Sequence, residues 1–100
     1  MIRLGGDTLF KWTGMTNSLT GDYVNNATVA CVVKSLSGTQ LATFSMTYLS
    51  GTNGNYAGVL PAASVANLEE CTEYLVEITA TSGGSTEFRR ERHNAEYGGY

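Results

Sequence analysis

The sequence is poor in charge and in the residues that carry most enzyme chemistry. Only 15% of its 100 residues are charged, and it contains one histidine, two cysteines and one proline. Soluble proteins usually carry about 25% charged residues, so the polarity here comes mainly from threonine, serine, asparagine and glycine. Because the formal net charge is -3, we expect no nucleic acid partner, which would require a basic surface.

Long apolar segments are also missing. No run approaches the roughly 20 apolar residues that a membrane helix needs, so we expect no membrane partner. The first four residues lead into Gly5-Gly6-Asp7 without the apolar region of a signal peptide. We therefore expect the chain to be made and folded in the cytoplasm of its host.

Turn-forming residues divide the chain into short segments rich in β-branched and aromatic side chains. Short strands separated by frequent turns are typical of an all-β sandwich or barrel. The segments between the turns predict strands over 8–13, 27–35, 40–50, 55–60, 72–81 and 86–92, and a helical turn over 62–66. At this length we expect one domain over residues 1–92 and a flexible tail over 93–100.

Two of these segments alternate between apolar and polar residues. Successive side chains of a strand point to opposite faces, so alternation marks one buried face. The residues predicted to face inward are Ala42, Phe44, Met46 and Tyr48 in one segment and Tyr74, Val76, Ile78 and Ala80 in the other. Cys31 is predicted to face inward between Val29 and Val33, as a small buried apolar residue.

No constellation of residues predicts catalysis or metal binding. His93 is the only histidine and hence the only ordinary general base near neutral pH, and we expect it to be solvated on the surface. Two cysteines and one distant histidine do not supply the four ligands of a structural zinc site. No predicted inward position carries an acid. We therefore expect no enzymatic activity, metal, cofactor or small-molecule substrate.

One segment carries a recognisable pattern. Leu68, Thr72, Tyr74, Val76, Ile78 and Ala80 follow the spacing L-x-x-x-T-x-Y-x-V-x-I-x-A. This resembles the segment that enters the penultimate strand of fibronectin type III and related immunoglobulin-like domains. The resemblance implies an all-β, two-sheet antiparallel sandwich of about seven strands, in which Tyr74 is a tyrosine corner bonded to the backbone of the preceding loop. We also expect Leu68 and Trp12 to be structural.

The same resemblance bears on the two cysteines. In an immunoglobulin domain the second cysteine lies two residues after the corner tyrosine, where this chain has Val76. Cys71 instead lies three residues before Tyr74. A bridge from Cys71 to Cys31 across the core would be out of register, so we expect both cysteines to be free.

Most of the candidate partner-binding residues lie near the C-terminus. On a strand, Arg90 and Arg92 share one face and Arg89 points the other way. Two interpretations stay open: the arginines protect an edge strand against pairing with other chains, or they form a docking stripe. Tyrosine is enriched in interfaces. The full set of candidates is Arg89, Arg90, Arg92, Tyr97, Tyr100, Asn53 and Tyr23.

Two stretches carry a second resemblance: GDTLFKWTGMTNSLTGDYVNNATVACVVKSLSGT, which starts at Gly6, and YLSGTNGNYAGVLP, which starts at Tyr48. Their layout resembles small immunoglobulin-like proteins encoded among the structural genes of tailed bacteriophages. It implies a non-enzymatic accessory or assembly protein of the head, neck, tail or baseplate, found in the host cytoplasm and then in the virion. Such a protein docks on other virion proteins or on copies of itself. The alternative is a glycan- or cell-surface-binding module, in which Trp12, Tyr23 and Tyr48 would stack on sugar rings.

Overall fold

The computed structural model describes residues 1–97, and their secondary structure is almost entirely β. Seven strands form, and one short 3-10 helix, Ala62–Val65, follows the fifth. The strands are β1 (Ile2–Leu4), β2 (Thr8–Trp12), β3 (Thr28–Ser35), β4 (Gln40–Tyr48), β5 (Tyr56–Leu60), β6 (Thr72–Ser82) and β7 (Ser85–Tyr97). The predicted all-β class is confirmed.

All seven strands belong to one continuous sheet, in the order β1-β7-β6-β3-β4-β5-β2. Every neighbouring pair is antiparallel except β1 and β7, which run parallel. β4 joins the two parts of the sheet, because most of its length pairs with β3 while Thr47 and Tyr48 pair with β5. The parallel pair makes the sheet mixed. The short pairing between β4 and β5 links β2 and β5 to the rest of the sheet.

The sheet curls until its two ends approach each other. Phe10 of β2 lies edge-on to His93 of β7, with ring centroids 5.2 Å apart. The guanidinium carbon of Arg89 in β7 lies 4.4 Å from the centroid of the Trp12 ring in β2. Among the described residues β2 and β7 do not pair as strands. The sheet is thus nearly closed, like a barrel, and side chains bridge the gap.

Alternate residues of the strands fill the interior, as the pleat of a strand requires. The predicted inward faces of β3 and β6 are buried. In β4 Met46 is buried, while Ala42, Phe44 and Tyr48 are partly buried and pack against the core. The largest fully buried side chains are Tyr56, Ile2, Met15, Leu60, Ile78, Val33, Val65, Val76 and Cys31. Apolar burial of this kind is the main favourable contribution to folding.

Two glycines allow the backbone segments around β5 to approach closely. A Cβ atom at Gly58 would lie 2.3 Å from the carbonyl oxygen of Ser45 in β4. Gly54 has a φ of +73°, and a Cβ there would lie 2.5 Å from the backbone of Met15. Only glycine fits such positions without moving the neighbouring backbone. The loop before β5 is thereby held against residues 14–15.

The C-terminal segment differs from its prediction. Instead of ending at Arg92 and leaving a flexible tail over 93–100, β7 continues to Tyr97. The reason is β1, a strand absent from the sequence-based prediction: it pairs with β7 from Ala95 to Tyr97, and Ala95 has strands on both sides. Ala95 is fully buried as a result. Residues 98–100, with the candidate Tyr100, lie outside the described residues.

Candidate docking surface

β7 has two different faces, set by its alternating side chains. Residues 87, 89, 91 and 93 point inward with buried Ala95, and each is half-buried. Residues 86, 88, 90, 92 and 94 point outward and are exposed. The predicted division of the arginines is therefore observed, with Arg90 and Arg92 on the outer face and Arg89 on the inner one.

A carboxylate organises the outer face. Glu77 of β6 stands opposite Arg90 in the strand register, and its Oε2 accepts from Nε of Arg90 at 2.9 Å and contacts Nη2 at 2.7 Å. Its Oε1 lies 2.7 Å from Nζ of Lys34 on β3. Hydrogen bonds from Lys34 and Arg90 lower the pKa of Glu77. Glu77 is only 9% exposed, so it fixes two cationic side chains on an otherwise open sheet face.

Beside this group lie a second ion pair and an exposed aromatic ring. Nη1 of Arg92 bonds Oε1 of Glu73 at 3.1 Å, and the side chain of Arg92 stays largely exposed. Phe88 is 55% exposed, and the guanidinium of Arg90 lies 5.6 Å from its ring centroid. An aromatic ring beside ordered arginines is the composition that protein interfaces favour. We call Lys34, Glu77, Phe88, Arg90 and Arg92 the outer patch.

The inner face of β7 corrects two predictions. His93 is half-buried rather than a solvated surface residue: its Nε2 lies 2.9 Å from Oε1 of Glu91 and its ring packs on Phe10. Glu91 and Glu87 are acids at inward strand positions, which the sequence analysis excluded. The gap between β2 and β7 is the physical reason, because long polar side chains can cover aromatic rings there while their charged ends stay hydrated.

Tyr74 makes the contact expected of a tyrosine corner. Its hydroxyl accepts a hydrogen bond of 2.8 Å from the amide of Glu69 in the preceding loop, and its ring is buried. Leu68 and Trp12 are also buried. Trp12 additionally supports Arg89 through a cation–π contact, an arrangement that holds the guanidinium in place.

The other candidate partner-binding residues do not join the outer patch. Tyr97 is 64% exposed and lies at the end of β7 beside Gly5. Tyr23 forms an isolated bridge with Thr16, in a loop whose Asn17 side chain bonds Ser85 at the opposite end of β7. Asn53 is exposed in the loop before β5. The candidates therefore divide between two ends of the molecule and one face.

The two cysteines occupy different environments, and neither forms a disulfide. Cys31 is buried in β3, and burial, with a smaller contribution from the charge of Glu91, raises its pKa to about 11. Cys71 is exposed and has a φ of +62°, in the left-handed region that disfavours most side chains. Its amide donates to the carbonyl of Ala95.

Sequence reasoning missed Glu77 and Phe88 as parts of a surface, although a signal for Glu77 was present. Gly83-Gly84 forms a two-residue turn between β6 and β7, and such a turn fixes the register of a hairpin. Counting outward from it sets Glu77 opposite Arg90, as observed. The contribution of Lys34 depends on the pairing of β3 with β6, which no local pattern encodes.

Within residues 1–97, no three histidine, cysteine or acidic side chains gather as metal ligands, and no pocket is found. None of the helices in this part of the chain has the length and apolar character to cross a bilayer. Comparisons with protein family models, with curated proteins and with solved structures yield no match to this chain.

Proposed function

We propose that this chain is a non-enzymatic docking domain that binds other proteins through its outer patch. The observation that carries the proposal is the ordering of Lys34 and Arg90 by one nearly buried carboxylate, next to exposed Phe88. Side chains that are ordered before binding lose less conformational entropy on association. A rigid sheet that presents ordered cations and an aromatic ring is therefore suited to recognising a protein surface with acidic and apolar groups.

The immunoglobulin-like, two-sheet sandwich is the fold that we propose for this domain. Three features support it: β1 runs parallel to the last strand, Tyr74 bonds the preceding loop, and β2 pairs with β5 in the part of the sheet that curls over β7. In this interpretation β1, β7, β6, β3 and most of β4 form one layer, and β2 and β5 form the other.

The resemblance to phage structural proteins gives the proposed setting. We assign the chain to a virion or prophage particle, as an accessory or assembly protein that folds in the host cytoplasm and then joins the head, neck, tail or baseplate. The alternative, a glycan-binding module, has less support. Of the three aromatic residues suggested for sugar stacking, Trp12 is buried and Tyr48 is half-buried, which leaves Tyr23 alone with an exposed ring.

Quantitative mass spectrometry of purified particles tests this function. Particles of the phage or prophage that encodes the chain should contain it, and a variant combining Phe88→Ala with Arg92→Glu should be incorporated at least about tenfold less, as expected when interface anchors are removed. The control is Lys11→Glu, which reverses a charge of the same sign at an exposed position of β2 and should be incorporated normally. Absence of the wild-type chain from particles, or equal incorporation of both variants, would refute the proposal.

A further inference from the structure

β7 has a long edge with no strand beside it. β6 covers one edge of β7 from Ser85 to Ala95, whereas β1 covers the other only from Ala95 to Tyr97. Among the described residues no strand pairs with this second edge from Ser85 to Asn94. Alternate backbone amides and carbonyls along such an edge point outward, ready to pair with another strand.

The charged side chains on the inner face of β7 are arranged so that they complement those of a second β7 strand running antiparallel to the first. From Glu87 onward the inward residues are acidic, basic, acidic and histidine. If a second copy of β7 pairs antiparallel with the first and Arg90 faces Arg90, then Glu91 faces Arg89 of the second copy. By symmetry this pair occurs twice, and opposite charges at facing positions stabilise a pair of antiparallel strands. His93 faces Glu87 of the second copy, but its two ring nitrogens already contact Glu91 and the N-terminal amine of Met1 in its own chain, so the charge complementarity comes from Glu91 and Arg89.

The outer face accepts the same register. Phe88 faces Arg92 of the second copy, a cation–π combination, and Thr86 faces Asn94. The one like-charged pair is Arg90 with its own copy, and each Arg90 is already bonded to Glu77. Arg90 is also the midpoint of the stretch from Thr86 to Asn94, which β1 leaves uncovered. A two-fold axis at Arg90 therefore uses the open edge from Thr86 to Asn94.

We infer that two copies of this chain associate through their β7 edges, antiparallel and centred on Arg90, to form one sheet that continues across the dimer. The inference rests on the proposed docking function in that it names a second copy as one partner. Charged residues usually protect an edge strand from pairing. Here their order matches a copy of itself, as an isologous interface requires.

Charge reversal tests the register. Multi-angle light scattering should show the mass of the wild-type chain rising from 10.7 kDa toward twice that value as the concentration approaches about 1 mM, a range that populates weak complexes. Arg89→Glu and Glu91→Arg each place like charges opposite each other twice, and each should weaken self-association at least about tenfold. An equimolar mixture of the two variants restores every opposite pair and should form a heterodimer. A wild-type chain that stays at 10.7 kDa throughout, or a mixture of folded variants that stays monomeric, overturns the inference.

Cross-linking gives a second test that does not require either charge variant to fold. In a Cys71→Ser background, Arg90→Cys places two thiols at facing positions about 5 Å apart between Cα atoms, within the range of a disulfide. The matched control Phe88→Cys separates them by about 13 Å. Oxidation should yield a covalent dimer with Arg90→Cys only. Dimer formation by neither variant, or by both equally, contradicts the register, whereas the outer patch can still bind other virion proteins in either case.

Discussion

β6 and β7 form one long hairpin, yet their inward faces have opposite character. β6 turns four buried side chains to the interior: Tyr74, Val76, Ile78 and Ala80. β7 turns four half-buried polar or charged side chains the same way: Glu87, Arg89, Glu91 and His93. The register sets Ile78 directly beside Arg89 and Tyr74 beside His93. Two neighbouring strands with the same backbone geometry thus differ in how much apolar surface they bury in the core.

The position of each strand in the curled sheet explains the difference. β6 lies between β3 and β7, over the centre of the core. β7 lies at the gap, where its inward side chains reach Phe10 and Trp12 of β2. A long side chain can pack against a ring there and keep its charge in water. An inward direction therefore means burial only where the opposite part of the sheet is complete.

The largest expected effect comes from replacing Ile78 and Arg89, which lie side by side on β6 and β7, one at a time. We expect Ile78→Ala to lower the free energy of unfolding by about 3 kcal/mol, because it deletes a fully buried side chain and leaves a cavity. Arg89→Ala, on the adjacent strand, should cost about 1 kcal/mol or less, since it removes one partly exposed cation–π contact. Urea unfolding of both variants measures the two costs.

Equal losses of unfolding free energy in the two variants would contradict the contrast between the strands. An Arg89→Ala cost close to that of Ile78→Ala would mean that the gap is as well packed as the core. Equal slopes of the unfolding free energy against urea concentration are the control, because a changed slope reports a changed denatured or native state rather than a lost contact.

The sequence predicts β6 better than β7, and the reason is physical. Alternating apolar residues in β6 identify both its strand and its buried face, since a local period carries that information. In β7 the alternation is between two polar faces, and nothing local tells which one meets Trp12. The same limit applies to the outer patch: the arginines stand out in the sequence, whereas Lys34 joins them only through the pairing of β3 with β6. The curl of the sheet is a long-range property, and so is the extension of β7 by β1.

Cys31 of β3 is influenced by both β6 and β7. It lies beside Ile78 of β6 in the register, and the charge of Glu91 on β7 contributes to its raised pKa. Burial and that charge raise the pKa of Cys31 from 9.0 to about 11. Below pH 9 the thiol is protonated in the folded and unfolded chains alike. As pH rises toward 11 the unfolded chain ionises first, so the stability contributed by the raised pKa is lost in that window.

We expect the difference in unfolding free energy between wild type and Cys31→Ala to shrink by about 2 kcal/mol between pH 8 and pH 11. Denaturant unfolding at several pH values measures it, and groups common to both chains cancel in the difference. Glu91→Gln should lower the upper limit of the window and reduce the loss, because it removes the second cause of the raised pKa in the folded chain. A difference that stays constant with pH would show that the Cys31 thiol is not held in its neutral form.

The smallest effect concerns single hydroxyl groups at the same end of the hairpin. Tyr74→Phe keeps the buried ring in β6 but leaves the amide of Glu69 without its acceptor, which should cost about 1 kcal/mol and lower the melting temperature by roughly 4–8 °C. Tyr97→Phe in β7 is the matched control, because this side chain is mostly exposed and its melting temperature should stay within error of wild type. Thermal unfolding followed by circular dichroism compares the two. If Tyr74→Phe has the same melting temperature as the wild type, the loop before β6 does not depend on the tyrosine corner. The contrast between a structural β6 and a surface-forming β7 then rests on the apolar side chains alone.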